Sequence, residues 1–164
     1  MNFNAIEIND CCVVNVMLVG DSGVGKTSLL SSSVAHKPIT ASDAIIHVGT
    51  VIDNRELNYE HNKKKYNITA WDTGAQPQYA TLRSMSYPVV DVFFLVFSVC
   101  DVSSYEHIIN VWVPEIRKKN SKAHFILIGT KIDLREAMAP GSSSKLLQGN
   151  SLLTFQQSLR STKN

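Results

Sequence analysis

The segment Gly20–Ser28 carries the residue types and the spacing of a phosphate-binding loop, or P-loop. It reads GDSGVGKTS and matches the pattern G-x-x-x-x-G-K-[ST]. Glycines in such a loop let backbone N–H groups converge on phosphate oxygens, and the following helix adds its N-terminal dipole. Lys26 would reach the β- and γ-phosphates, and Thr27 would offer its hydroxyl to Mg²⁺. A chance glycine-rich turn is the alternative, but the apolar run Val13–Val19 before the motif and the helix-like run Ser28–Val34 after it favour a nucleoside triphosphate site.

A second polar motif, Asp72–Gln76, follows a strand-like segment that ends in Trp71. An acid at the carboxyl end of a strand near a P-loop suits a contact to Mg²⁺ through water, and we assign that role to Asp72. Gln76 could orient the water that attacks the terminal phosphate. A strand followed by Asp and Gly is common in proteins, so this motif alone is weak evidence for a magnesium site. Its distance after the P-loop makes the evidence stronger.

The third motif is Thr130–Asp133, which again directly follows a strand-like segment. The Asp133 carboxylate can accept hydrogen bonds from the N1–H and the exocyclic amine of guanine, whereas adenine presents no such pair of donors. The aliphatic stem of Lys131 can lie over the base. An ordinary charged loop is the alternative for this segment alone. As the third motif in order, it favours a guanine nucleotide and disfavours a P-loop ATPase or kinase.

Apolar strand-like runs alternate with helical patterns along the chain, which predicts an α/β fold with a mostly parallel sheet. This is the three-layer P-loop NTPase arrangement, with helices on both faces of the sheet. The helix Tyr105–Ile116 has apolar residues three and four apart, and Pro114 within it should kink or loosen it. The predicted strands are Val13–Val19, Val51–Tyr59, Tyr66–Trp71, Val89–Val99 and Phe125–Ile128. The second and third of these strands form a hairpin around Asn62.

The chain has 164 residues, 44% of them hydrophobic, which suits one domain over residues 1–164. A formal net charge of +2 gives no argument for nucleic acid binding. We predict that the basic run Lys63–Lys65 is a solvated hairpin turn rather than a phosphate or lipid patch. No window has the apolar length of a membrane span, and the N-terminus lacks the regions of a signal peptide. The adjacent Cys11 and Cys12 and the odd cysteine count favour a reduced, cytoplasmic and intracellular setting.

Together these motifs resemble the Ras superfamily of small GTPases, and most closely its Rho/Rac branch. The resemblance covers about Val13 to Glu136. It is carried by GDSGVGKTSLL (20–30), TVIDN (50–54), WDTGAQ (71–76), LRSMSYP (82–88), WVPEI (112–116) and GTKIDLRE (129–136). LRSMSYP, WVPEI and Thr130, where most other branches carry Asn, are typical of the Rho branch.

The resemblance implies a GTP-hydrolysing signalling switch that binds GTP or GDP with Mg²⁺. Catalysis would be slow until an activating protein supplies an arginine. Catalytic roles fall to Lys26 and Gln76. Magnesium ligation falls to Thr27, to Thr50 in the triphosphate state, and to Asp72 through water. The implied nucleotide contacts are Ser22, Gly23, Val24, Gly25, Lys26, Thr27, Ser28, Thr50, Ala75, Thr130, Lys131 and Asp133.

The resemblance also implies protein partners. Ile45–Arg55 would form the first switch and Asp72–Tyr87 the second. Both would bind guanine-nucleotide exchange factors, GTPase-activating proteins and Rho-type effectors. Ordering of these loops on the γ-phosphate and their release on hydrolysis would make the switch. The process served would be organisation of the actin cytoskeleton.

Several residues depart from the family at the switches. Gly74 and Ala75 stand in the reverse of the usual order, so Ala75 would restrict a pivot, and a positive φ there would cost roughly 1 kcal/mol or more. The absence of an aromatic residue between Val34 and Thr50 would speed nucleotide release. The runner-up hypothesis is therefore a switching-impaired or non-hydrolysing module that still binds Rho partners. Ser22 replaces the usual Gly of the branch, and we expect catalysis to survive this change.

The C-terminal part departs most from the family. The composition shifts to Pro, Gly, Ser and Asn from Ala139 to Ser151, which predicts an irregular insert at 137–151, and Leu152–Leu159 could begin one further helix. The family's Ser-Ala base-contacting loop, last strand, last helix and prenylated Cys-a-a-X signal have no counterpart before Asn164. We therefore expect an incomplete G domain of marginal stability, or a truncated gene product, without a membrane anchor of its own.

Overall fold

The computed structural model describes residues 6–8, 11–35 and 52–137, and the strands of these ranges join one mixed sheet. The strands are β1 (Ile6–Ile8), β2 (Cys11–Val19), β3 (Ile52–His61), β4 (Lys64–Thr73), β5 (Val92–Ser98) and β6 (His124–Thr130). Their order in the sheet is β3-β4-β2-β5-β6, and β1 pairs with β2. β2 runs parallel to β4 and β5, and β5 runs parallel to β6. β1 pairs antiparallel with β2, and β3 pairs antiparallel with β4.

Helices follow the strands β2, β4, β5 and β6 in the described ranges. They are α1 (Lys26–Ala35), α2 (Ala80–Ser86), α3 (Val102–His107), α4 (Val113–Arg117) and α5 (Ile132–Ala137). Short 3₁₀ turns at Pro77–Tyr79 and Tyr87–Val89 flank α2, and a π-helical turn at Ile108–Trp112 joins α3 to α4. Of the helices in the described ranges, none combines the length and the apolar character needed to cross a membrane.

Core residues lie on both faces of the sheet, because successive side chains of a strand point to opposite faces. On one face, Met17 of β2 and Phe93 of β5 belong to the same cluster as Ile108 of the π-helical turn. On the other face, Leu18 of β2 clusters with Leu30 of α1. The predicted α/β arrangement, with helices on both faces of a mostly parallel sheet, is therefore confirmed.

The hairpin of β3 and β4 forms around the predicted turn. Asn62 and Lys63 occupy the turn with φ of 51° and 63°. This left-handed geometry is typical of tight hairpin turns, and Asn adopts it more readily than most residues. The register places His61 opposite Lys64. The basic run begins in this turn, and its side chains are exposed.

Most strands differ from their predicted bounds by one or two residues at an end, and larger differences occur at the start of β5 and at β1. β5 begins at Val92 rather than Val89, because Tyr87–Val89 forms a 3₁₀ turn with a proline in its first positions. Asp91 then aligns the start of the strand, since its Oδ2 accepts the backbone N–H of Asn15 at 2.8 Å. β1 has no counterpart among the predicted strands, because three residues are too few to show a periodic pattern.

The helix predicted over Tyr105–Ile116 is part of one continuous segment made of α3, the π-helical turn and α4. Asp101 caps its N-terminus by accepting the backbone N–H groups of Ser103 and Ser104. The hydrogen bond from the Ser103 hydroxyl, followed by these backbone bonds, lowers the pKa of Asp101. Pro114 lies in the first turn of α4 and has no N–H to donate. The loosening expected at this proline takes the form of the π-helical turn.

Some predicted features lie outside the described residues. They include Thr50, the first-switch residues before 52, most of the insert at 137–151 and the segment Leu152–Leu159. Their roles remain predictions, as does a single domain over residues 1–164.

We expect Gly20→Ala to disrupt this fold. Gly20 has a φ of 149°, and a Cβ there would lie 2.0 Å from the backbone oxygen of Val96 on β5. Because the backbone of a central strand cannot move aside cheaply, the variant should lose about 3 kcal/mol or more of unfolding free energy in a urea melt.

Gly23→Ala is the matched control for this substitution. Its φ of 73° also disfavours a side chain, but a Cβ there meets nothing within 4 Å. The cost should therefore be about 1–2 kcal/mol, the backbone term alone. Equal losses in the two variants would contradict the packing explanation.

Candidate functional site

The glycine-rich loop lies between the end of β2 at Val19 and the start of α1 at Lys26. Gly23 and Gly25 have φ of 73° and 101°, a region that glycine adopts without strain. Val24 between them is buried in the core cluster under α1 and anchors the loop. The loop therefore has the predicted strand-to-helix form, with the N-terminus of α1 at its end.

Lys26 is a buried cation at the first position of α1, with 7% of its surface exposed. Its Nζ donates to the backbone oxygens of Gly20 at 2.9 Å and of Asp21 at 2.8 Å. Burial lowers the pKa of Lys26 to about 8, and the carboxylates of Asp72 and Asp21 oppose the shift. An ammonium group has three N–H donors. Among the described residues no third acceptor contacts Nζ, so one donor is left over for an anionic ligand.

Thr27 and Asp72 join the first motif to the second. The Thr27 hydroxyl donates to Oδ2 of Asp72, which lies opposite Leu18 in the parallel pair of β2 and β4. The other carboxylate oxygen, Oδ1, is buried and has no hydrogen-bond partner among the described residues. Such an oxygen is costly to bury, and the water of a hydrated Mg²⁺ beside Thr27 would supply the missing donor. These oxygens therefore fit the metal that the sequence predicted.

Thr130 joins the third motif to the first. It ends β6, and its hydroxyl oxygen lies 2.5 Å from the backbone oxygen of Val24 and 3.0 Å from that of Phe97. Lys131 then adopts a φ of 61° and turns the chain into α5, whose first turn contains Asp133. Asp133 is exposed, so its carboxylate is open to a ligand. The motif predicted to recognise the base thus lies against the loop predicted to hold the phosphates.

The residues predicted to begin the second switch lie at an open edge of the site. A pocket of about 440 Å³ is lined there by Asp21, Ser22, Ala75, Gln76, Pro77 and His107. Gln76 is exposed, and its Oε1 accepts a hydrogen bond from Nε2 of Gln78 at 2.8 Å. Neither Gly74 nor Ala75 has a positive φ. The strain that the sequence suggested for Ala75 is therefore absent from this conformation.

Sequence reasoning missed Arg83, a buried cation that contacts the backbone of the predicted second switch. Its Nη2 donates to both oxygens of Glu115, at 3.0 and 3.2 Å, and its Nη1 donates to the backbone oxygen of Gly74 at 2.6 Å. The Tyr87 hydroxyl donates to Glu115 at 2.5 Å. Burial, and then this hydrogen bond, raise the pKa of Tyr87 well above its usual range. The sequence contains a signal for this group, because LRSMSYP supplies Arg83 and Tyr87 and WVPEI supplies Glu115.

Comparison with protein-family models agrees with the motifs. Residues 15–164 match the model described as the Ras family. The match spans all three motifs and most of the chain. It applies to the family as a whole and does not distinguish the branches within it.

We expect Lys26 to make the stability of the nucleotide-free chain depend on pH. Its pKa is about 8 in the folded state and near 10.5 when solvated, so the unfolded state binds more protons between these values. The free energy of unfolding should therefore rise with pH in this window, by up to about 3 kcal/mol. Urea melts at pH 7.5 and pH 10 would measure the rise.

Lys26→Met is the control for the pH effect, because it lacks the titrating group. Its free energy of unfolding should rise less between the same two pH values. A rise equal to that of the wild-type chain would show that other groups cause the effect.

Proposed function

The chain belongs to the Ras family, and on that basis we propose that it is a Rho-like small GTPase, a signalling switch that binds GTP or GDP with Mg²⁺ and hydrolyses GTP. The observation that carries the proposal is the contact of all three motifs at one edge of the sheet. Thr27 contacts Asp72, and Thr130 contacts the loop backbone at Val24. Because ligands of open parallel sheets bind beyond the carboxyl ends of the strands, this edge suits a nucleotide.

The phosphates would lie against the loop. The backbone N–H groups of residues 22–28 and the remaining donor of Lys26 would hold them. Thr27 and, through water, Asp72 would hold Mg²⁺, and Thr50 would add a ligand in the triphosphate state. The metal, when bound, neutralises charge on the β- and γ-phosphates during phosphoryl transfer. With a pKa of about 8, Lys26 is mostly protonated at neutral pH, and a neighbouring phosphate would hold the proton more firmly.

Hydrolysis would depend on Gln76, which would orient the attacking water. Its side chain lies in the open pocket and is bonded to Gln78, so it must exchange this bond for one to water. Arg83 cannot supply the arginine that stabilises the transition state, because it is buried and its guanidinium is occupied by Glu115 and Gly74. An activating protein would have to supply that arginine, and the chain alone would hydrolyse GTP slowly.

The Rho-like part of the proposal rests on LRSMSYP and WVPEI. The ion pair of buried Arg83 with half-buried Glu115, at 3.0 Å, links the two motifs physically, and loss of Glu115 would leave the buried charge of Arg83 uncompensated. By resemblance, the process served is organisation of the actin cytoskeleton. Cys11 and Cys100 carry free thiols, which suits the reducing cytoplasm.

Exchange factors, activating proteins and Rho-type effectors would bind at the switches, Ile45–Arg55 and Asp72–Tyr87. In the second switch, Leu82 and Met85 expose 47% and 73% of their surface. Val89, just beyond it, exposes 60%. Exposed apolar side chains that lie close together often mark a protein-binding surface, so these residues support a partner site on and after α2.

A second candidate function is a module that binds Rho partners without efficient switching or hydrolysis. The observation that favours it is Ala75, which packs against the core cluster that contains the π-helical turn. In the family, the glycine at this position pivots as the second switch closes. If closure requires a positive φ, the side chain of Ala75 would oppose it by about 1–2 kcal/mol.

Exchanging the two residues should improve switching. The double variant Gly74→Ala, Ala75→Gly should raise the single-turnover rate of GTP hydrolysis about 5- to 30-fold, which corresponds to about 1–2 kcal/mol. GDP affinity should change little, because the diphosphate state does not require closure. An unchanged rate would contradict the pivot hypothesis, and no turnover in either protein would favour the binding module.

Asp133→Asn tests the recognition of guanine. The amide replaces one acceptor oxygen by a donor, so GDP should bind about 10- to 100-fold more weakly. Xanthosine diphosphate, which has an acceptor in place of the exocyclic amine, should gain affinity relative to GDP. Glu106→Gln alters an exposed carboxylate of α3 and is the control. A wild-type chain that prefers ADP to GDP would be a P-loop ATPase or kinase instead.

A further inference from the structure

The Asp21 carboxylate is held by two side chains of the helical segment that faces the loop. Nδ1 of His107 lies 2.6 Å from Oδ2, and Nε1 of Trp112 donates to Oδ1 at 2.8 Å. A carboxylate only accepts hydrogen bonds, so Nδ1 of His107 carries the proton in this contact. The backbone oxygen of the same aspartate accepts the Nζ of Lys26. Asp21 therefore stands between the helical segment and the cation of the P-loop.

The spacing of the two donors requires the π-helical turn. Residues five apart on an α-helix point about 140° apart, since each residue turns the helix by about 100°. His107 and Trp112 are five residues apart. His107 directly precedes the turn Ile108–Trp112, and Trp112 is its last residue. In this turn the N–H of Val113 donates to the oxygen of Ile108, the i to i+5 pattern that brings such residues to one face. The turn thus allows both side chains to reach one carboxylate.

Trp112 is itself fixed by the second switch. It is buried, and the guanidinium carbon of Arg83 lies 4.7 Å from the centroid of its ring. The same guanidinium donates to the backbone oxygen of Gly74. A continuous series of contacts therefore runs from Gly74 through Arg83 and Trp112 to Asp21.

We propose that His107 and Trp112 are positioning residues for the P-loop, which clamp Asp21 and so hold Lys26 in place for the phosphates of a guanosine nucleotide. The ligand in this inference rests on the proposed function, whereas the clamp is a property of the chain itself. Both donors also offset the negative charge of Asp21, which would otherwise repel phosphate beside the loop. Loss of either donor should loosen the carbonyl that holds Lys26 and speed nucleotide release.

The test uses variants that remove one donor at a time. Trp112→Phe deletes the indole N–H but keeps an aromatic ring under Arg83. His107→Ala deletes the imidazole, and His107→Gln restores an N–H donor of similar reach. Asp21→Ala removes the shared acceptor. Asn110→Ala changes an exposed residue of the same turn and is the control.

Release of fluorescent GDP is the first readout. Trp112→Phe and His107→Ala should each speed release about 10- to 150-fold, the range for a lost hydrogen bond to a charged group. His107→Gln should release within about threefold of the wild-type rate, and Asn110→Ala should match it. In the Asp21→Ala background, Trp112→Phe should have no further effect. A further increase in release rate when Trp112→Phe is added to Asp21→Ala would overturn the clamp. Release by His107→Gln as fast as by His107→Ala would also overturn it.

Exchange of the Trp112 indole proton with solvent is the second readout, and it needs no nucleotide. In the wild-type chain the proton should exchange at least about tenfold more slowly than in Asp21→Ala, because the indole N–H donates a hydrogen bond to Asp21. Equal exchange would overturn the clamp. If the wild-type chain releases no nucleotide because it binds none, the proposed function fails, and the indole exchange still decides the clamp.

Discussion

Lys26 places a positive charge inside the molecule, and much of the site consists of the oxygens that this charge requires. The backbone oxygens of Gly20 and Asp21 accept hydrogen bonds from its Nζ, and the carboxylates of Asp72 and Asp21 oppose the lowering of its pKa by burial. Each of these oxygens is fixed by a different part of the fold. Gly20 packs on β5, Asp72 is aligned by the pairing of β4 with β2, and Asp21 is held by the helical segment. A phosphate would complete the set as the counter-charge of the cation.

Arg83 is the second buried cation among the described residues, and it organises the predicted second switch as Lys26 organises the loop. Glu115 compensates its charge, and the remaining donor capacity fixes the backbone at Gly74. Because a buried charge is expensive to leave uncompensated, these contacts restrain the beginning of the second switch while Gln76 and Met85 stay exposed. The two cations are connected through Trp112, which contacts Arg83 and Asp21. The loop and the predicted second switch are thus parts of one packed unit.

Much of the fold could be predicted from the sequence, because its signals are local. The strand Val13–Val19 and the hairpin around Asn62 follow from short periodic patterns and turn chemistry. The three motifs could be placed together because the carboxyl ends of parallel strands share one edge. The contact of Trp112 with Asp21 could not be predicted, since the residues are 91 positions apart and the contact requires a π-helical turn. The absence of strain at Ala75 also depends on a backbone conformation that residue type alone does not specify.

The sequence by itself determined the chemistry of the site. Glycines, Lys26 and Thr27 at their spacing predict a phosphate loop, and Asp133 predicts a guanine contact, because these predictions rest on residue types and short segments. Only the tertiary structure decided which charges are buried and which oxygens compensate them. It also decided that the Thr130 hydroxyl contacts the loop and that Oδ1 of Asp72 lacks a partner among the described residues. Burial and distance are properties of the packed chain, so they emerge only when distant segments meet.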